Sequence, residues 1–355
     1  MQNLSKVFLK RIDDWSSIDT INKGLLSVWK AITEGLDFIK KDDFVAIKLG
    51  FGEDEGPGYI KPAWLTEFIA HLKEKTENLF IVETNTLNRG KKANAVGHLK
   101  VAHQHGYDIN NMTIPVIIAD GLKGRDSQAV AIRGEHFENV KLAKSICETD
   151  FLILFSHVTG HAQTGFSGAL NNLGVGCASR TGKLLQHSKS SPDVCIEKCI
   201  GCGLCIKVCP VNAIGLKRKK AILVKERCIG CGECAIICKG GAIQIKLDES
   251  ITRFQEKVVE YALGVKTILP GRIVCINFLY NITKSCDPLE NTEPLLTNDI
   301  GLLGGMDPVS VDKASLDIIG GEVFNKIYPD IDPMVQFNHA EKIKLGTPNY
   351  QIVEI

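Results

Sequence analysis

The sequence predicts an α/β fold, in which a mostly parallel sheet with flanking helices is interrupted by a small inserted domain. Short apolar runs, typical of buried strands, alternate with amphipathic helical stretches on both sides of a cysteine-rich segment. Neither flank contains a linker or a low-complexity stretch, and residues 249–355 are few for an independent α/β domain. We therefore predict one α/β domain formed by residues 1–190 and 249–355, with residues 191–248 inserted into it.

Apolar runs define the elements before the insert. Residues 44–49 predict a buried strand that ends in a glycine-rich loop, and Pro62 opens an amphipathic helix, because proline suits the first turn of a helix. A second helix is expected near residues 95–105. Further strands are predicted at residues 79–82, 114–119 and 151–155.

The same alternation continues after the insert. Helices are predicted at residues 254–263 and 309–319, where Asp307 stands in the capping position before Pro308. A strand is predicted at residues 272–279, and residues 350–354 form a closing edge strand.

Eight of the thirteen cysteines lie between residues 199 and 238, in one pattern written twice. Each half reads C-x2-C-x2-C-x3-C. The halves are Cys199, Cys202, Cys205 and Cys209, then Cys228, Cys231, Cys234 and Cys238. Pro210 follows the first half and Lys239 the second. Glycines between the cysteines let the backbone approach a bound group closely, and the intervening aliphatic residues offer a dry shell.

Zinc and disulfides are the competing interpretations of this pattern. Structural zinc uses C-x2-C pairs, and two runs of three closely spaced cysteines plus a fourth suit tetrahedral zinc poorly. Disulfides need an oxidising compartment, whereas the chain opens with MQNLSKVFLKRIDDW and shows no apolar signal region. We therefore expect reduced thiols and a cytoplasmic location.

The doubled pattern resembles the ligand run of bacterial-type ferredoxins, in which three cysteines of one run hold one [4Fe–4S] cluster and the fourth ligates the other. The resemblance implies an α+β ferredoxin-like insert with two [4Fe–4S] clusters and a low-potential electron donor or acceptor protein as partner. Cluster one would bind Cys199, Cys202, Cys205 and Cys238. Cluster two would bind Cys228, Cys231, Cys234 and Cys209.

Composition limits the remaining classes. The 355 residues are 44% hydrophobic with a formal net charge of +1, which predicts a soluble globular protein. No apolar run approaches the roughly 20 residues of a membrane span, and the balanced charge gives no nucleic-acid signal. The basic run at residues 217–220 is either a solvated hairpin turn or a docking site for an acidic electron carrier.

Several segments outside the cysteines occur in a specific order. They are HVTGH at residues 157–161, LNNLGVG at 170–176, Gly182-Lys183 with His187, DIGL at 299–302, MDPVSVD at 306–312 and YQIVE at 350–354. Together they resemble the domain of unknown function 362 family, iron–sulfur centre proteins of anaerobic bacteria and archaea. The family commonly has Cys-Asp-Cys where this chain reads Cys286-Asp287-Pro288. The resemblance brings no settled reaction.

Three histidines are candidate catalytic residues. His157 and His161 follow the strand at residues 151–155, and ligands of open α/β sheets collect at the carboxyl ends of strands. His187 precedes the insert. With Asp287 they could bind a divalent metal or transfer protons; alternatively, they are loop and helix-cap histidines with backbone partners.

Polar donors occur in the same part of the sequence. Lys183 is a fifth candidate catalytic residue, and Asn171 and Asn172 add donors suited to a carboxylate or phosphate. Asp312 lies on the predicted helix and is either catalytic or structural. Neither a phosphate-loop nor a dinucleotide motif occurs in the chain.

These observations predict an iron–sulfur electron-transfer protein. Single electrons would pass through two clusters to an unidentified acceptor in or near the α/β domain, as in an oxidoreductase or its electron-transfer component with a small-molecule substrate. A maturation or electron-delivery factor for another enzyme and a redox-sensing binding module are the alternatives. A deep pocket lined by His157, Asn171, Lys183 and Asp287 would favour the oxidoreductase.

Overall fold

The computed structural model describes residues 4–36, 38–52, 58–87, 90–188, 192–209, 211–228, 232–244, 249–285 and 294–355. None of the helices in these ranges is long and apolar enough to cross a membrane.

Strands and helices alternate along most of the chain. The strands are β1 (Ser5–Arg11), β2 (Val45–Lys48), β3 (Leu79–Glu83), β4 (Val116–Ile118), β5 (Ser127–Ala131), β6 (Asn139–Ala143), β7 (Phe151–His157), β8 (Thr159–His161), β9 (Gly165–Ser167), β10 (Asp193–Val194), β11 (Ile214–Lys217), β12 (Lys220–Leu223), β13 (Ile243–Gln244), β14 (Ile273–Leu279), β15 (Gly301–Gly305) and β16 (Tyr350–Glu354). The α-helices are α1 (Ile18–Thr33), α2 (Thr66–Lys73), α3 (Ala95–Gln104), α4 (Ile109–Met112), α5 (Lys144–Cys147), α6 (Ala169–Gly174), α7 (Arg180–His187), α8 (Leu204–Lys207), α9 (Glu233–Ile237), α10 (Ile251–Ile268), α11 (Pro308–Ile319), α12 (Gly321–Ile327) and α13 (Met334–Lys342). Pro62–Leu65 forms a 3₁₀ turn that leads into α2.

The central sheet has eight strands in the order β16-β1-β15-β14-β7-β2-β3-β4. Neighbours run parallel except at β1–β15 and β15–β14. In the central register, Ile47 on β2 lies opposite Ile81 on β3 and Ile153 on β7. The predicted α/β fold, with a mostly parallel sheet and flanking helices, is confirmed.

Alternate residues of the central strands supply two hydrophobic cores on opposite faces of the sheet. Val45 and Ile47 enter the core that contains α1 and α2, whereas Ala46 enters the core that contains α6, α10 and α11. Leu152 and Ile153 on β7 divide in the same way. Because both faces are covered, the central strands are continuous apolar runs, which explains why they were readily predicted.

The two antiparallel neighbours, β1 and β15, are absent from the sequence-based prediction. β15 reads GLLGG, and glycine weakens the statistical signal of a strand. Its glycines serve close packing, since a Cβ at Gly304 would lie 2.5 Å from Val28 Cγ1 on α1. β1 lies between β15 and β16, which leaves β16 at the edge of the sheet. Residues 350–354 are therefore an edge strand, as predicted.

Residues 192–244 form a separate small core with its own ladders. β10 pairs with β13 and β11 with β12, both antiparallel. The chain leaves the α/β body after α7 and returns beside the same point, because the backbone N–H of Glu249 donates to His187 O at 3.3 Å. Lys257 on α10 joins the two ends by pairing with the buried Glu249 and donating to Ser188 O at 3.3 Å.

Candidate functional site

The order of the parallel strands reverses at the centre of the sheet. After β2, the chain adds β3 and β4 on one side and then places β7 on the other side of β2. In open α/β sheets, ligands bind in the crevice at such a reversal, beyond the carboxyl ends of the strands. The edge next to β2 and β7 is therefore where a site is expected.

A cavity of about 210 Å³ lies at this crevice. Three neighbouring strands each end at its wall, because Lys48 closes β2, Glu83 closes β3 and His157 closes β7. Other polar lining residues are Tyr59, Thr86, Lys92, Ser156, Ser167, Asn171, Asn172 and Lys183. Of the residues that the sequence indicated, His157, Asn171, Asn172 and Lys183 thus line one cavity.

Lys48 is the centre of a buried polar network in this wall. Only 1% of Lys48 is exposed, and its Nζ lies 2.8 Å from Glu83 Oε2 and donates to Asn172 Oδ1 at 2.8 Å. Burial by itself would raise the pKa of Glu83, but Lys48 and then Lys183 outweigh it and the net shift of that pKa is downward. Glu83 is therefore ionised beside Lys48.

Lys183 approaches the same wall from α7. Its Nζ donates to Thr84 Oγ1 at 2.7 Å and to Asn85 O at 2.8 Å. Behind it, the backbone N–H of Asn85 donates to Asp120 Oδ1 at 2.9 Å. Burial lowers the pKa of Lys183 and raises the pKa of Asp120 to about 6. Glu83 and Asp120 oppose this shift in the pKa of Lys183, but burial is the larger cause and the net direction is downward.

His98 on α3 lies beside this network without joining it. The residue is 1% exposed, and neither ring nitrogen has a hydrogen-bond partner within the described part of the chain. Burial lowers the pKa of His98 to about 3, and Lys92 and Lys183 contribute in the same direction. The imidazole is therefore neutral at physiological pH.

His157 and Asn171 line the cavity, but each has a buried polar atom. His157 Nε2 lies 2.7 Å from Tyr280 O, which can only accept, so Nε2 carries the proton. Asn171 donates its amide to Ser167 Oγ at 2.7 Å, which leaves Oδ1 as acceptor. Within the described ranges, both His157 Nδ1 and Asn171 Oδ1 are buried without a partner.

His161 and His187 lie together in a different place. Both rings pack against Phe254 at the start of α10, with ring centroids 6.4 Å and 4.4 Å away, respectively. Burial lowers the pKa of His161 to about 4 and also lowers the pKa of His187. His161 is separated from His157 because the chain turns after β7 into the hairpin of β8 and β9. Neither histidine lines the cavity.

Asp312 is buried at the start of α6. It accepts the backbone N–H groups of Ala169 and Leu170 at 2.6 and 2.7 Å, and the Asn277 amide at 2.7 Å. Burial raises the pKa of Asp312 to about 6. The carboxylate caps the helix that carries Asn171 and Asn172 into the cavity, so its contacts are those of a positioning residue.

The two cysteine runs fold alike where the structure describes both. Gly203 and Gly232 adopt left-handed conformations, with φ of 70° and 69°, directly before the short helices α8 and α9. The fourth cysteine of each run accepts a backbone N–H from the residue four positions later. Ala213 donates to Cys209 Sγ at 3.1 Å, and Ala242 donates to Cys238 Sγ at 3.2 Å.

The cysteines contribute to a shared core. Cys205 and Cys234 are buried, with Cys199, Cys209 and Cys238 packed against the same cluster. Burial raises the pKa of Cys205, and the sulfurs of Cys202 and Cys238 add to this, so Cys238 of the second run lies close to Cys205 of the first. Hydrogen bonding from Ala221, whose N–H donates to the sulfur at 3.3 Å, lowers the pKa of Cys199.

The basic run at residues 217–220 forms a tight turn. Arg218 and Lys219 have φ of 50° and 61° and connect β11 to β12. Such paired positive values are those of the two-residue hairpin turn that the sequence analysis gave as one alternative. Cys231, Cys286 and Asp287 lie outside the described residues.

A further histidine and carboxylate group was not anticipated from the sequence. Potential ligand atoms of His136, Glu260 and His339 lie within 4.8 Å of one another, a donor set that zinc accepts. Glu260, however, accepts backbone N–H groups from Glu135 at 2.6 Å and Phe137 at 2.9 Å. These contacts anchor the loop that contains Glu135 and Phe137 to α10, which explains why Glu260 is buried there.

Sequence reasoning missed Lys48, Glu83, Lys92 and His98. A signal was present for two of them, because the apolar strands VAIK and LFIVE each end in a charged residue. A charge that closes a buried strand at its carboxyl end marks the edge where ligands bind. Lys92 and His98 carry no such signal, since only tertiary packing buries them.

Two solved structures are similar to this chain in outline. A protein from Thermotoga maritima shares 10% identity with a TM-score of 0.47, over 85% of this chain and 59% of that one. The lactate racemase apoprotein from Thermoanaerobacterium thermosaccharolyticum shares 12% identity with a TM-score of 0.43, over 88% of this chain and 58% of that one. The chain thus spans less than two thirds of the length of either.

No curated protein matches the sequence. The family described as "Domain of unknown function (DUF362)" matches residues 45–317, which include the strands that form the cavity and both cysteine runs. The chain therefore belongs to the DUF362 family.

Proposed function

We propose that this protein transfers single electrons through two [4Fe–4S] clusters to an acceptor bound in the α/β domain. Residues 191–248 would form the inserted two-cluster ferredoxin-like domain. Cluster one would be held by Cys199, Cys202, Cys205 and Cys238, and cluster two by Cys228, Cys231, Cys234 and Cys209. The doubled cysteine pattern is the single observation that carries the proposal.

The described cysteine residues fit such a group. Each αL glycine before a short helix lets the backbone curve closely around a bound group. Backbone N–H groups are directed at the sulfurs of Cys199, Cys209 and Cys238, as they are at cluster ligands. At Cys199, hydrogen bonding lowers the pKa of the thiol and so favours the thiolate, the form that binds iron. The proximity of Cys238 to Cys205 supports the exchange of the fourth ligand between the runs.

When bound, the clusters supply reversible one-electron transfer. The protein's own residues hold the thiolates, surround them with a small apolar core that includes Ile214 and Ile243, and restrict water. The exposed turn at Arg218 and Lys219 offers a basic surface to an acidic electron-carrier protein.

Helix α7 supports a connection between the cysteine region and the cavity. Lys183 lies at the cavity, and His187, four residues later, contacts the returning chain at Glu249. Four helical residues span about 6 Å. An acceptor beside Lys183 would therefore lie one helical turn from the base of the cysteine region.

The cavity favours an oxidoreductase over a factor that only delivers electrons to another protein. A delivery factor needs an exposed docking face, whereas a concave site with convergent polar groups suits a small-molecule substrate. His157 and Lys183 would bind and orient that substrate, and His161 and His187 would occupy the space between it and the cysteine region. The candidate role of Asp287 stays a prediction.

Anaerobic purification followed by iron, sulfide and zinc analysis tests the proposal. We expect about eight irons and eight sulfides per chain, as two cubane clusters require. Reduction with dithionite should produce two interacting S = 1/2 signals in low-temperature EPR. Stoichiometric zinc without iron would overturn the proposal.

A further inference from the structure

We propose that an acidic one-electron carrier protein docks beside cluster one, on a surface formed by residues 199–203 and 217–220. The carrier would exchange electrons with cluster one, and cluster two would face the α/β domain. The inference deepens the proposed function by naming the class of the partner and its point of contact, and its electron step rests on that function. Docking itself requires only the surface.

The first argument is the charge of this segment. Residues 198–225 contain seven Lys and Arg residues and no Asp or Glu. Arg218 and Lys219, at the turn, are exposed and form no ion pair within the described part of the chain. The acidic residue before the segment, Glu197, accepts from Cys195 Sγ at 3.2 Å. A surface of one sign attracts a partner of the opposite sign and raises the rate of encounter.

The second argument is the contact between the basic turn and the first cysteine run. Lys220 Nζ donates to Cys199 O at 2.6 Å, and the backbone N–H of Ala221 donates to Cys199 Sγ at 3.3 Å. A Cβ at Gly201 would lie 2.3 Å from Lys219 O, so glycine permits this close approach. The basic turn therefore lies directly against a ligand proposed for cluster one.

The third argument is the direction of the hairpin formed by β11 and β12. Two ligands proposed for cluster two flank its base, because Cys209 precedes β11 and Cys228 follows β12. The backbone N–H of Ala213, directly before β11, donates to Cys209 Sγ at 3.1 Å. The four residues of β11 then span about 13 Å. The turn thus lies at the opposite end of the hairpin from Cys209.

The strands β10 and β13, which connect the insert to the α/β domain, run the other way. At the end of β10 that follows α7, Asp193 accepts from Lys225 Nζ at 2.8 Å, three residues before Cys228. At the opposite end of the ladder, the backbone N–H of Ala242 donates to Cys238 Sγ at 3.2 Å. The end that leads to the α/β domain is therefore beside cluster two. The resulting order is carrier, cluster one, cluster two and α/β domain.

An exposed apolar side chain lies at the centre of the docking surface. Ile200, between Cys199 and Cys202, is 68% exposed, the largest value for a large hydrophobic side chain among the described residues. Leu216 is also exposed and lies against the same loop, since its Cδ1 is 3.9 Å from a Cβ built at Gly203. Apolar residues within a charged rim are typical of protein interfaces.

The exchange moves one electron and forms no bond. A reduced carrier is oxidised by one electron, cluster one is reduced by the same electron, and the electron then passes to cluster two. The reverse order applies when electrons leave the protein. A cubane held by four thiolates is anionic and would repel an acidic carrier. The basic turn beside cluster one offsets this repulsion.

Anaerobic stopped-flow mixing tests the inference on the full chain. The clusters are reduced beforehand, and the acceptor is oxidised flavodoxin, an acidic protein whose one-electron reduction changes its absorption spectrum. Oxidised cytochrome c, a basic protein, is the acceptor of opposite charge. We expect the rate with flavodoxin to fall as the salt concentration rises, because salt screens the attraction between exposed charges.

A turn variant removes the charge without disturbing the turn. Arg218→Asn with Lys219→Gly provides the residue pair that suits the positive φ values of 50° and 61°. At low ionic strength, the rate with flavodoxin should fall about tenfold, and the rate with cytochrome c should not fall. Lys40→Gln with Lys41→Gln, exposed in the α/β domain, removes the same charge and is the control. Equal flavodoxin rates in the two variants would overturn the inference.

Removing one cluster at a time tests the point of exchange. Cys238→Ser should remove cluster one, and Cys209→Ser should remove cluster two. Because the carrier docks beside cluster one, flavodoxin should oxidise the remaining cluster several-fold more slowly in Cys238→Ser than in Cys209→Ser. The opposite order of rates would overturn the assignment of cluster one.

The affinity for flavodoxin separates this inference from the proposed function. In isothermal titration calorimetry at low ionic strength, the turn variant should bind about tenfold more weakly than the wild type, and Ile200→Ser about fivefold more weakly. These losses in a protein without iron would refute the proposed function alone. A full set of clusters, with wild-type affinity and rate in both variants, would refute this inference alone. Neither clusters nor binding would refute both.

Discussion

The cysteine region and the cavity at the sheet edge differ in how the chain assembles them. The proposed cluster ligands lie between residues 199 and 238 and depend on short local spacings. The cavity joins Lys48, Glu83, His157 and Lys183, which meet only because β7, β2 and β3 are neighbours. The cysteine region can be inferred from residue spacing in the sequence, whereas the cavity can be inferred only when the order of the strands is known.

Buried charge is also used differently in the two regions. In the cavity wall, Lys48 pairs with Glu83 and donates to Asn172, and Lys183 donates to Thr84 and to the backbone of Asn85. At the junction with the cysteine region, Lys257 and Glu249 form a matched buried pair that holds the two chain ends together. The matched pair at the junction joins two ends of the chain, whereas the network in the cavity wall connects the ends of neighbouring strands with α6 and α7.

The largest effect is expected from a ligand of the proposed clusters. Cys238→Ser should remove one cluster, and about half of the iron, because each cluster needs four thiolates. The EPR coupling between clusters should disappear with it. Cys195→Ser is the matched control, since Cys195 lies outside the doubled pattern. Equal iron loss in both variants would show that the pattern does not define the ligands.

The junction pair should contribute several kcal/mol to stability. Lys257→Met leaves the buried carboxylate of Glu249 with only Arg253, at 3.6 Å and partly exposed, as a cationic partner, which should lower the free energy of unfolding by about 3–5 kcal/mol. The surface pair of Lys225 and Asp193 offers the control, because both side chains are exposed and Lys225→Met should leave the free energy of unfolding nearly unchanged. Chemical denaturation measures both. The double variant Glu249→Leu with Lys257→Met should recover most of the loss, and its failure to do so would argue against a simple pair.

A smaller effect is expected where Asp312 caps α6. Asp312→Asn replaces a charged acceptor of two backbone N–H groups and should lower the free energy of unfolding by about 1–3 kcal/mol. Asp317→Asn, on the partly exposed side of the same helix, should change it by less than about 1 kcal/mol.

The Asp312 cap also has a defined pH dependence. Burial raises its pKa from 3.8 to about 6, so the folded state binds the proton more tightly than the unfolded state. The stabilisation that comes from this tighter proton binding is fully present below pH 3.8 and is lost as the pH rises through about 6. The stability of the wild type relative to Asp312→Asn should therefore increase as the pH falls from 7 to 4. A pH-independent difference between the two proteins would disprove the assignment.

The smallest effect is expected at His98. Because both ring nitrogens lack partners among the described residues, His98→Met should be neutral or stabilising by about 1 kcal/mol. Burial lowers the pKa of His98 to about 3, so the folded state favours the neutral imidazole. The contribution of this preference to the free energy of unfolding is present above pH 6.5 and is lost as the pH falls toward 3. The variant should lose stability less steeply than the wild type below pH 6.5. Leu99→Met, exposed on the same helix, is the control for thermal denaturation, and a destabilised His98→Met protein would indicate a partner for the imidazole.

Particular residues mark the limit of prediction from the sequence. The strands at residues 44–49 and 79–82 were predicted because both of their faces are buried, which makes them continuous apolar runs. Lys48 and Glu83 are the charged residues at the ends of these strands. Their proximity could not be predicted, since nothing in the sequence states that β2 and β3 are neighbours. His157 and His161 lie four residues apart, yet the turn after β7 directs only His157 to the cavity.

The sequence by itself determined the α/β class and the cysteine pattern, because apolar periodicity and ligand spacing are local properties of the chain. It also indicated His157, Asn171 and Lys183 as candidate site residues, but not the residues that they contact. Only the tertiary structure decided which charges share a cavity, since strand order sets that neighbourhood. It likewise decided that His161 and His187 pack against Phe254, and that Asp312 caps a helix. Burial and partner choice depend on contacts between distant segments, which no local pattern encodes.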